Sequence, residues 1–284
     1  MGSGVRVRGQ PHKAPGGLLQ MSSKLQRSFN VLETLAAHPG GCSLSFIATE
    51  LGIPLSVTHR LLAELAEYGY VRQERDHGDY TLTVKLVSLG LSFLSNSGVV
   101  DVAQPLLDGL AHESGELVRM GVVDGEDLVF VAKAQGATRG LRYDPDMGLA
   151  VQLSCSAAGH ALLSTLSDEE ALERVARQGF GQPEQFGPRA PTTVKALLAC
   201  LRTARRQGYS TIVEMFAPGM SAMAAPVRAP GGPAIGVITI AGPLVRLTEA
   251  RMEALAPALL ATAQDVMAAS KASPMLARAQ RRSA

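Results

Sequence analysis

Ser43-Leu-Ser-Phe-Ile-Ala-Thr-Glu-Leu-Gly-Ile-Pro-Leu-Ser-Val-Thr-His-Arg-Leu-Leu-Ala-Glu-Leu-Ala-Glu-Tyr-Gly-Tyr-Val71 reads as two short helices around a tight glycine turn. Ser43 is a good N-cap, Leu44, Ile47 and Leu51 recur at helical spacing, and Gly52 stands where the first helix ends and the chain reverses. Pro54 opens the second helix. Val57, Leu61 and Leu65 form its inward stripe, so Ser56, Thr58, His59 and Arg60 are expected to project from its first turns. Those are hydrogen-bonding side chains at the end of a helix that enters a major groove.

The flanking segments extend the same reading. Tyr70 to Leu82 holds two short alternating runs joined by a polar turn with Gly78, which predicts a β-hairpin wing. Upstream, Leu25, Phe29, Leu32 and Leu35 predict an amphipathic helix that closes a small core against the other two. The unit is a winged helix-turn-helix, whose ordinary partner is double-stranded DNA. The competing reading is a winged helix that meets only protein.

A winged helix needs about 60 to 80 residues and the chain has 284, so a second, larger domain is expected. Hydrophobic residues make up 46% of the chain, enough for a sizeable core, and no apolar run approaches the roughly 18 residues that cross a bilayer. A soluble, cytoplasmic protein without membrane association is expected. Residues 1–21 carry Arg6, Arg8 and Lys13 but no apolar stretch like that of a secretory signal, and are expected to be a disordered arm, with Met21 as the natural start. Cys42, Cys155 and Cys200 are odd in number and widely spaced, which argues against a disulfide framework and a zinc site. No metal or cofactor is expected.

The formal net charge is only +2, and it lies in the first 85 residues. Arg27, Arg60, Arg72 and Arg75 must therefore supply a basic face locally. With so few cations, oligomerisation is needed to sum enough phosphate contacts for tight binding. Lys85 to Gly98 leaves the wing as an apolar segment ending in Asn, Ser and Gly, a linker helix whose apolar face suits a second subunit.

Beyond it the patterns alternate. A helix is expected over about 101–114, then a hairpin from Glu116–Val123 and Leu128–Lys133 across Asp124-Gly125-Glu126, and a third run near Leu141–Tyr143. Residues 155–166 read as a helix, Ser167 to Glu170 as a capping box, 179–191 as a loop and Thr193–Gln207 as a helix. Strands follow at 208–213, 222–227 and 234–241, and a last helix at about 248–271. The fold class is α+β, with an antiparallel sheet flanked by helices. The expected domains are 22–84, the linker helix 85–98, a second domain 99–271 and a basic, disordered tail 272–284.

Together with the helix-turn-helix and the wing ending in Tyr80-Thr-Leu-Thr, the downstream motifs have a family pattern. Arg206-Gln-Gly208-Tyr209, Gly219, Ala224-Ala225-Pro226-Val227 and Ala241-Gly242-Pro243 followed by Arg246-Leu247-Thr248 resemble the IclR family of bacterial transcriptional regulators over about residues 22–270. The resemblance implies a winged helix joined by a linker helix to a GAF-like effector-binding domain. It implies homodimers or dimers of dimers on short palindromic operators, acting more as repressors than activators. The implied effectors are small organic or aromatic acids.

Carried over by position, the DNA-contacting residues are Arg27, Ser56, Thr58, His59 and Arg60, with Arg72, Arg75 and His77 in the wing; a basic residue common before the serine is Leu55 here. The effector set is Met147, Leu153, Ser154, Ser156, Ala158, Ile212, Glu214, Ala222, Thr239 and Ala241. Several of the family's polar positions are apolar in it: Ala222 stands for a cysteine, Ile212 for an aspartate and Ala241 for a serine. Two explanations stand: a less polar ligand, or a pocket that relies on backbone N–H donors. An enzyme would need Ser154, Cys155, Ser156 and His160 to cooperate, but no orienting carboxylate is recognisable and no nucleophile-elbow, phosphate-loop or metal spacing occurs, so catalysis is not expected.

Overall fold

The computed structural model describes residues 23–75, 78–145, 151–181 and 183–282, and divides into two compact units, one ending at Phe93 and the other running from Leu94 to the C-terminal residues. The expected disordered arm 1–21 lies outside the described residues.

The N-terminal unit contains α1 (Lys24–Ala37), α2 (Leu44–Leu51), α3 (Leu55–Glu67), β1 (Val71–Gln73) and β2 (Tyr80–Leu82). Ser23 and Ser43 each accept a hydrogen bond from the backbone N–H three residues on, satisfying donors that a helix start leaves open. Gly52 ends α2 at φ 62°, a left-handed conformation that costs any residue with a Cβ. β1 and β2 pair antiparallel, Val71 opposite Leu82 and Gln73 opposite Tyr80, and Cys42 adds a bridge to Tyr80. The core gathers Val31, Leu35, Ile47, Leu61, Leu62, Leu65, Val71 and Tyr80.

Two expectations about helix faces change. On α1 the buried residues are Val31 and Leu35, whereas Leu25 is 65% and Phe29 51% exposed. The helix carries two apolar stripes about a third of a turn apart, and packing on α3 chooses the Val31 stripe. On α3 the buried face is wider than expected, and takes in Thr58 and Leu62 as well as Leu61 and Leu65.

α4 (Lys85–Ser97) spans the boundary between the units. Of its residues only Ser97 is buried, and Val87, Leu89, Leu91 and Phe93 are exposed.

The C-terminal unit is built on α5 (Val99–Ser114), β3 (Leu117–Asp124), β4 (Asp127–Gln135), α6 (Ala157–Leu163), α7 (Asp168–Gln178), α8 (Val194–Gln207), β5 (Ser210–Val213), β6 (Met220–Val227), β7 (Gly236–Pro243), α9 (Glu249–Ala269) and α10 (Pro274–Arg282). The five strands make one antiparallel sheet in the order β4-β3-β7-β6-β5. Strand alternation sends Val118, Met120, Met223, Ala225, Ile238 and Ile240 to one face, where Leu107 of α5 and Leu255 and Leu259 of α9 cover them. The opposite face presents Phe130, Ile212, Ala224 and Val237 to α6 and α8 through Ala158, Leu162, Leu197 and Leu201. The sheet is thus covered on both sides, and a polar side chain on either face is drawn out of water.

Ser167 and Glu170 form the capping box of α7, each side chain bonded to the other residue's backbone N–H. Ser167→Ala is expected to cost about 1 kcal/mol, read as a lowered denaturation midpoint; an unchanged midpoint would show that the loop before α7 holds the helix start by itself.

The residues 139–145 form no strand. Gly140 takes φ 73°, and Gln135 Nε2 donates to Tyr143 O at 3.1 Å, a side-chain bond in place of a ladder. The C-terminal tail is also more ordered than expected: the structure has α10 through residue 282, with Leu276 buried, Ser273 Oγ accepting from Leu276 N at 3.3 Å and donating to Ser97 O at 2.8 Å. A helix cap and one buried leucine overcome the local basic charge.

The downstream motif residues have a common structural task. Arg246 Nε and Nη2 reach Glu116 Oε1 and Oε2 at 2.6 and 2.9 Å, a two-point clamp on a side chain only 4% exposed. A Cβ at position 242 would lie 2.4 Å from Glu116 Oε2, so Gly242 leaves the room that the carboxylate occupies. Thr248 then caps α9.

Candidate nucleic-acid interface and ligand-binding face

The exposed residues of α3 are Leu55, Ser56, His59, Arg60, Ala63, Ala66 and Glu67. Its opposite side is held by the core, so the first two turns are presented on a rigid support. Ser56, His59 and Arg60 therefore stand where the sequence puts them. Thr58 does not: it is fully buried and its Oγ1 donates to Pro54 O at 3.2 Å, so it shapes the helix start. Position 58 lies one turn before Leu62, inside the wide apolar stripe.

Around Arg60 the surface forms a shallow depression lined by Lys24, Arg27, Val57, Leu61 and Glu64. The i, i+4 pairing open to Arg60 is not made, because Glu64 takes Lys24, Nζ to Oε1 2.6 Å. Among the described residues Arg60 has no ion pair or hydrogen bond. Arg27 lies one helix away on the same depression, so the guanidinium groups of two helices flank one surface.

On the wing, Arg72 Nε binds Glu74 Oε1 at 2.9 Å, and Glu74 also accepts from Thr81 Oγ1. That hydroxyl and Arg72 hold the Glu74 carboxyl below its usual range. Arg72 is thus paired within the hairpin while its side chain stays exposed. Arg75 is exposed at the turn. His77 lies outside the described residues.

The expected effector residues sort into two groups. Strand register brings four of them together on the α6 side of the sheet. Ile212 pairs with Ala222 and Ala222 with Ala241, while Thr239 occupies the next row on β7. Leu153 and Ala158 are buried in the layer that covers this side. These six make an apolar face with one hydroxyl, and the Thr239 Oγ1 is buried without a hydrogen-bond partner among the described residues.

The serines and Glu214 are otherwise engaged. Ser154 Oγ donates to Phe180 O at 3.2 Å and accepts from Gln152 Nε2. Ser156 Oγ donates to Gln152 O at 2.6 Å and accepts from Gly159 N, capping α6. Glu214 has φ 52°, rare for a residue with a Cβ, and its Oε1 accepts from Gly219 N at 3.0 Å to hold the turn into β6. Their polar atoms are engaged within the chain, closing loops and capping a helix. Met147 lies outside the described residues.

The Ser154–His160 stretch does not assemble a nucleophile. Burial pushes the Cys155 thiol up to about 12, and burial also lowers the His160 imidazole below its usual range. His160 Nε2 lies 2.8 Å from Ser154 O, so it carries the proton and donates. A protonated thiol and a neutral ring tied to the backbone are poor material for covalent catalysis. Among the described residues no three metal-ligating side chains cluster, and no single helix is long and apolar enough to cross a membrane.

One residue on the candidate ligand face has no counterpart in the sequence reading. Arg119 of β3 pairs in register with Thr239 and carries its guanidinium over the Phe130 ring, 3.8 Å from the centroid. Its Nε is buried without a partner among the described residues. A lone Arg in an alternating strand reads as solvent-facing; the available signal was that helices precede and interrupt the strand order, which buries both faces of the sheet.

Comparison with known proteins follows this division. Residues 24–75 match the IclR helix-turn-helix domain, and residues 91–268 match the bacterial transcriptional regulator IclR C-terminal domain. The chain is 30% identical over 273 residues to the HTH-type transcriptional repressor AllR of Salmonella paratyphi A, covering 96% of this chain and 99% of that one. An IclR family transcriptional regulator of Brucella abortus shares the architecture at TM-score 0.69 and 26% identity, covering 88% of this chain and 93% of that chain. So does an IclR homolog of Microbacterium hydrocarbonoxydans complexed with 4-hydroxybenzoate, at TM-score 0.71 and 23% identity, over 87% of this chain and all of that one.

Proposed function

The chain belongs to the IclR family of bacterial transcriptional regulators, DNA-binding proteins with an IclR-type helix-turn-helix, and from that premise we propose that it is a ligand-controlled repressor acting as a dimer on a palindromic operator. The observation that carries the reading is the exposed row Ser56, His59 and Arg60 on a helix whose other side is locked in the core. In a dimer, two such helices enter successive major grooves about one helical turn apart, and protein symmetry matches operator symmetry. The exposed Val87, Leu91 and Phe93 of α4, with Leu25 and Phe29 of α1, supply apolar surface that a second copy would cover. Dimers pairing again into tetramers would add phosphate contacts to a domain with few cations. The repressor sign follows the name of the AllR relatives. A bacterial regulator of this kind works in the cytoplasm, beside its genes.

The effector is a small organic acid bound on the Thr239 side of the C-terminal sheet. It acts by binding one arrangement of the dimer more tightly than another, since equal affinity for both shifts nothing. The fold-related homolog holding 4-hydroxybenzoate supports an acid of this size.

Arg60 reads a guanine, with Ser56 nearer phosphate. Arg60→Ala is expected to weaken operator binding by about 1–3 kcal/mol and to relax sequence preference at one position of each half-site, measured by competition among single-base operator variants. A variant with an unchanged binding profile would remove Arg60 from base readout. A protein-only winged helix would bind duplexes weakly and without sequence preference in the same assay.

A further inference from the structure

We propose that Arg119 is the anchor of the effector site, and that its ligand is an organic monocarboxylate with an apolar body.

Four observations meet at this residue. Arg119 stands in the middle of the sheet on β3, flanked in register by Lys133 of β4 and Thr239 of β7. One flat side of its guanidinium is taken by the Phe130 ring at 3.8 Å. Its Nε is buried with no hydrogen-bond partner among the described residues. The neighbouring Thr239 Oγ1 is buried in the same condition, and side chains opposed across a strand pair lie about 5 Å apart at Cβ. Two adjacent buried donors left unsatisfied are costly, and each ordinarily has a partner that the isolated chain does not supply.

The partner must be an anion. Asp144 is the acid whose charge Arg119 feels, but its Oδ1 binds Lys133 Nζ at 2.8 Å, and it makes no ion pair with Arg119. Lys133 thus engages that carboxylate and leaves Arg119, whose Nε is buried, without an ion pair. Burial holds the guanidinium below its usual range, and Tyr143, the other charge-bearing neighbour, is itself pushed up by burial. With Phe130 on one flat side, the free donors of Arg119 lie in the guanidinium plane, the geometry that grips both oxygens of a carboxylate. Thr239 adds a third donor to the same group.

The surroundings of Arg119 are apolar. The row beside Arg119 runs Leu117, Ala241, Ala222 and Ile212 across four strands, and Tyr143 packs against Leu117 and Ala241 from above. One cation and one hydroxyl next to such a row fit one carboxylate on an aromatic or aliphatic body, rather than a dicarboxylate or a polyol. The apolar substitutions noted at 212, 222 and 241 then follow from the ligand's shape: the acid is held at Arg119, and the positions away from it need no donors.

This inference rests on reading the C-terminal unit as effector-binding, and the test separates the two. Benzoate, phenylacetate and hexanoate, each with its uncharged amide, are titrated into the full-length protein, with melting temperature and calorimetric affinity as readouts. At least one acid is expected to raise the melting temperature and to bind about tenfold or more tightly than its amide, the margin of a hydrogen-bonded charge pair. Arg119→Met is expected to abolish the preference for acid over amide, and Arg119→Lys to keep part of it. Without ligand, Arg119→Met is expected to melt at or above the native protein, because it removes an unpaired buried charge; a merely structural arginine would give the opposite. Thr239→Val is expected to weaken the acid severalfold and leave the preference in place. Acid and amide binding alike, an Arg119→Met protein that binds acid normally, or no response to any of the three acids would overturn the anchor. Operator binding is measured in parallel. Acids that bind through Arg119 without changing duplex affinity support the anchor and reject the regulatory reading; duplex binding with no acid response does the reverse.

Discussion

Leu62→Ala is expected to abolish operator binding while leaving the C-terminal sheet folded. Leu62 is fully buried at the centre of the winged-helix core, among Val31, Leu35, Ile47 and Leu65. Truncating such a leucine costs about 2–5 kcal/mol, from lost transfer energy and from the cavity left behind. A unit of this size has a stability of only a few kcal/mol, since small domains bury a smaller share of their surface. The loss therefore unfolds a large fraction of α3 and its exposed row. Hydrogen exchange should show the α3 amides losing protection while those of β3, β6 and β7 keep theirs. Arg60→Ala is the control, with weakened DNA binding and unchanged exchange. Full operator affinity in Leu62→Ala would mean that the helix start is held by something other than this core.

Arg246→Ala is the second large effect, at about 2–3 kcal/mol in the C-terminal unit. It strands the Glu116 carboxylate, whose side chain is 4% exposed, beneath a backbone that Gly242 leaves open for it. Breaking a buried pair costs about 3–5 kcal/mol; because Arg246 keeps 37% exposure, water screens part of the loss and brings the expected cost down to about 2–3 kcal/mol. Glu116→Leu/Arg246→Met is expected to recover much of the deficit, because no charge is then stranded. Denaturant midpoints of the single and double variants decide this. A double variant as unstable as Arg246→Ala would show that the residues matter for shape rather than charge.

The same clamp explains why one motif was legible as a pattern but not as a mechanism. Gly242, Arg246 and Thr248 have three separate tasks, a space, a clamp and a helix cap, and only the cap is local. Glu116, the partner of two of them, is more than a hundred residues away in sequence. The helix-turn-helix was more readable because Ser43, Gly52 and Pro54 act on their immediate neighbours. Where a local pattern admitted two answers, packing chose. α1 has both a Leu25–Phe29 and a Val31–Leu35 stripe, and Thr58 stands inside an apolar face that Leu62 widens. The antiparallel sheet was visible in its alternating runs, but the third run at 141–143 was not a strand, because a side-chain bond from Gln135 took the backbone there.

The ligand face was the least legible part. Ser154, Ser156 and Glu214 have the composition of ligand donors, yet each closes a loop or caps a helix. Arg119 has the composition of a surface residue, yet its Nε is buried against Phe130. What separates the two groups is whether the polar atoms already have partners, and that depends on chain segments far apart in sequence. α10 was hidden for a related reason, since its order depends on one leucine, Leu276, and on a serine hydroxyl that reaches Ser97.

The row at the start of α3 is proposed to read DNA sequence for a symmetric dimer. Selection of binding sites from a random duplex pool by the purified full-length protein, followed by a salt titration on the winning site, tests it most directly. The expected result is an enriched palindrome with half-sites about one helical turn apart and an affinity that falls steeply with salt. Enrichment of no sequence, with salt-independent association, would contradict it.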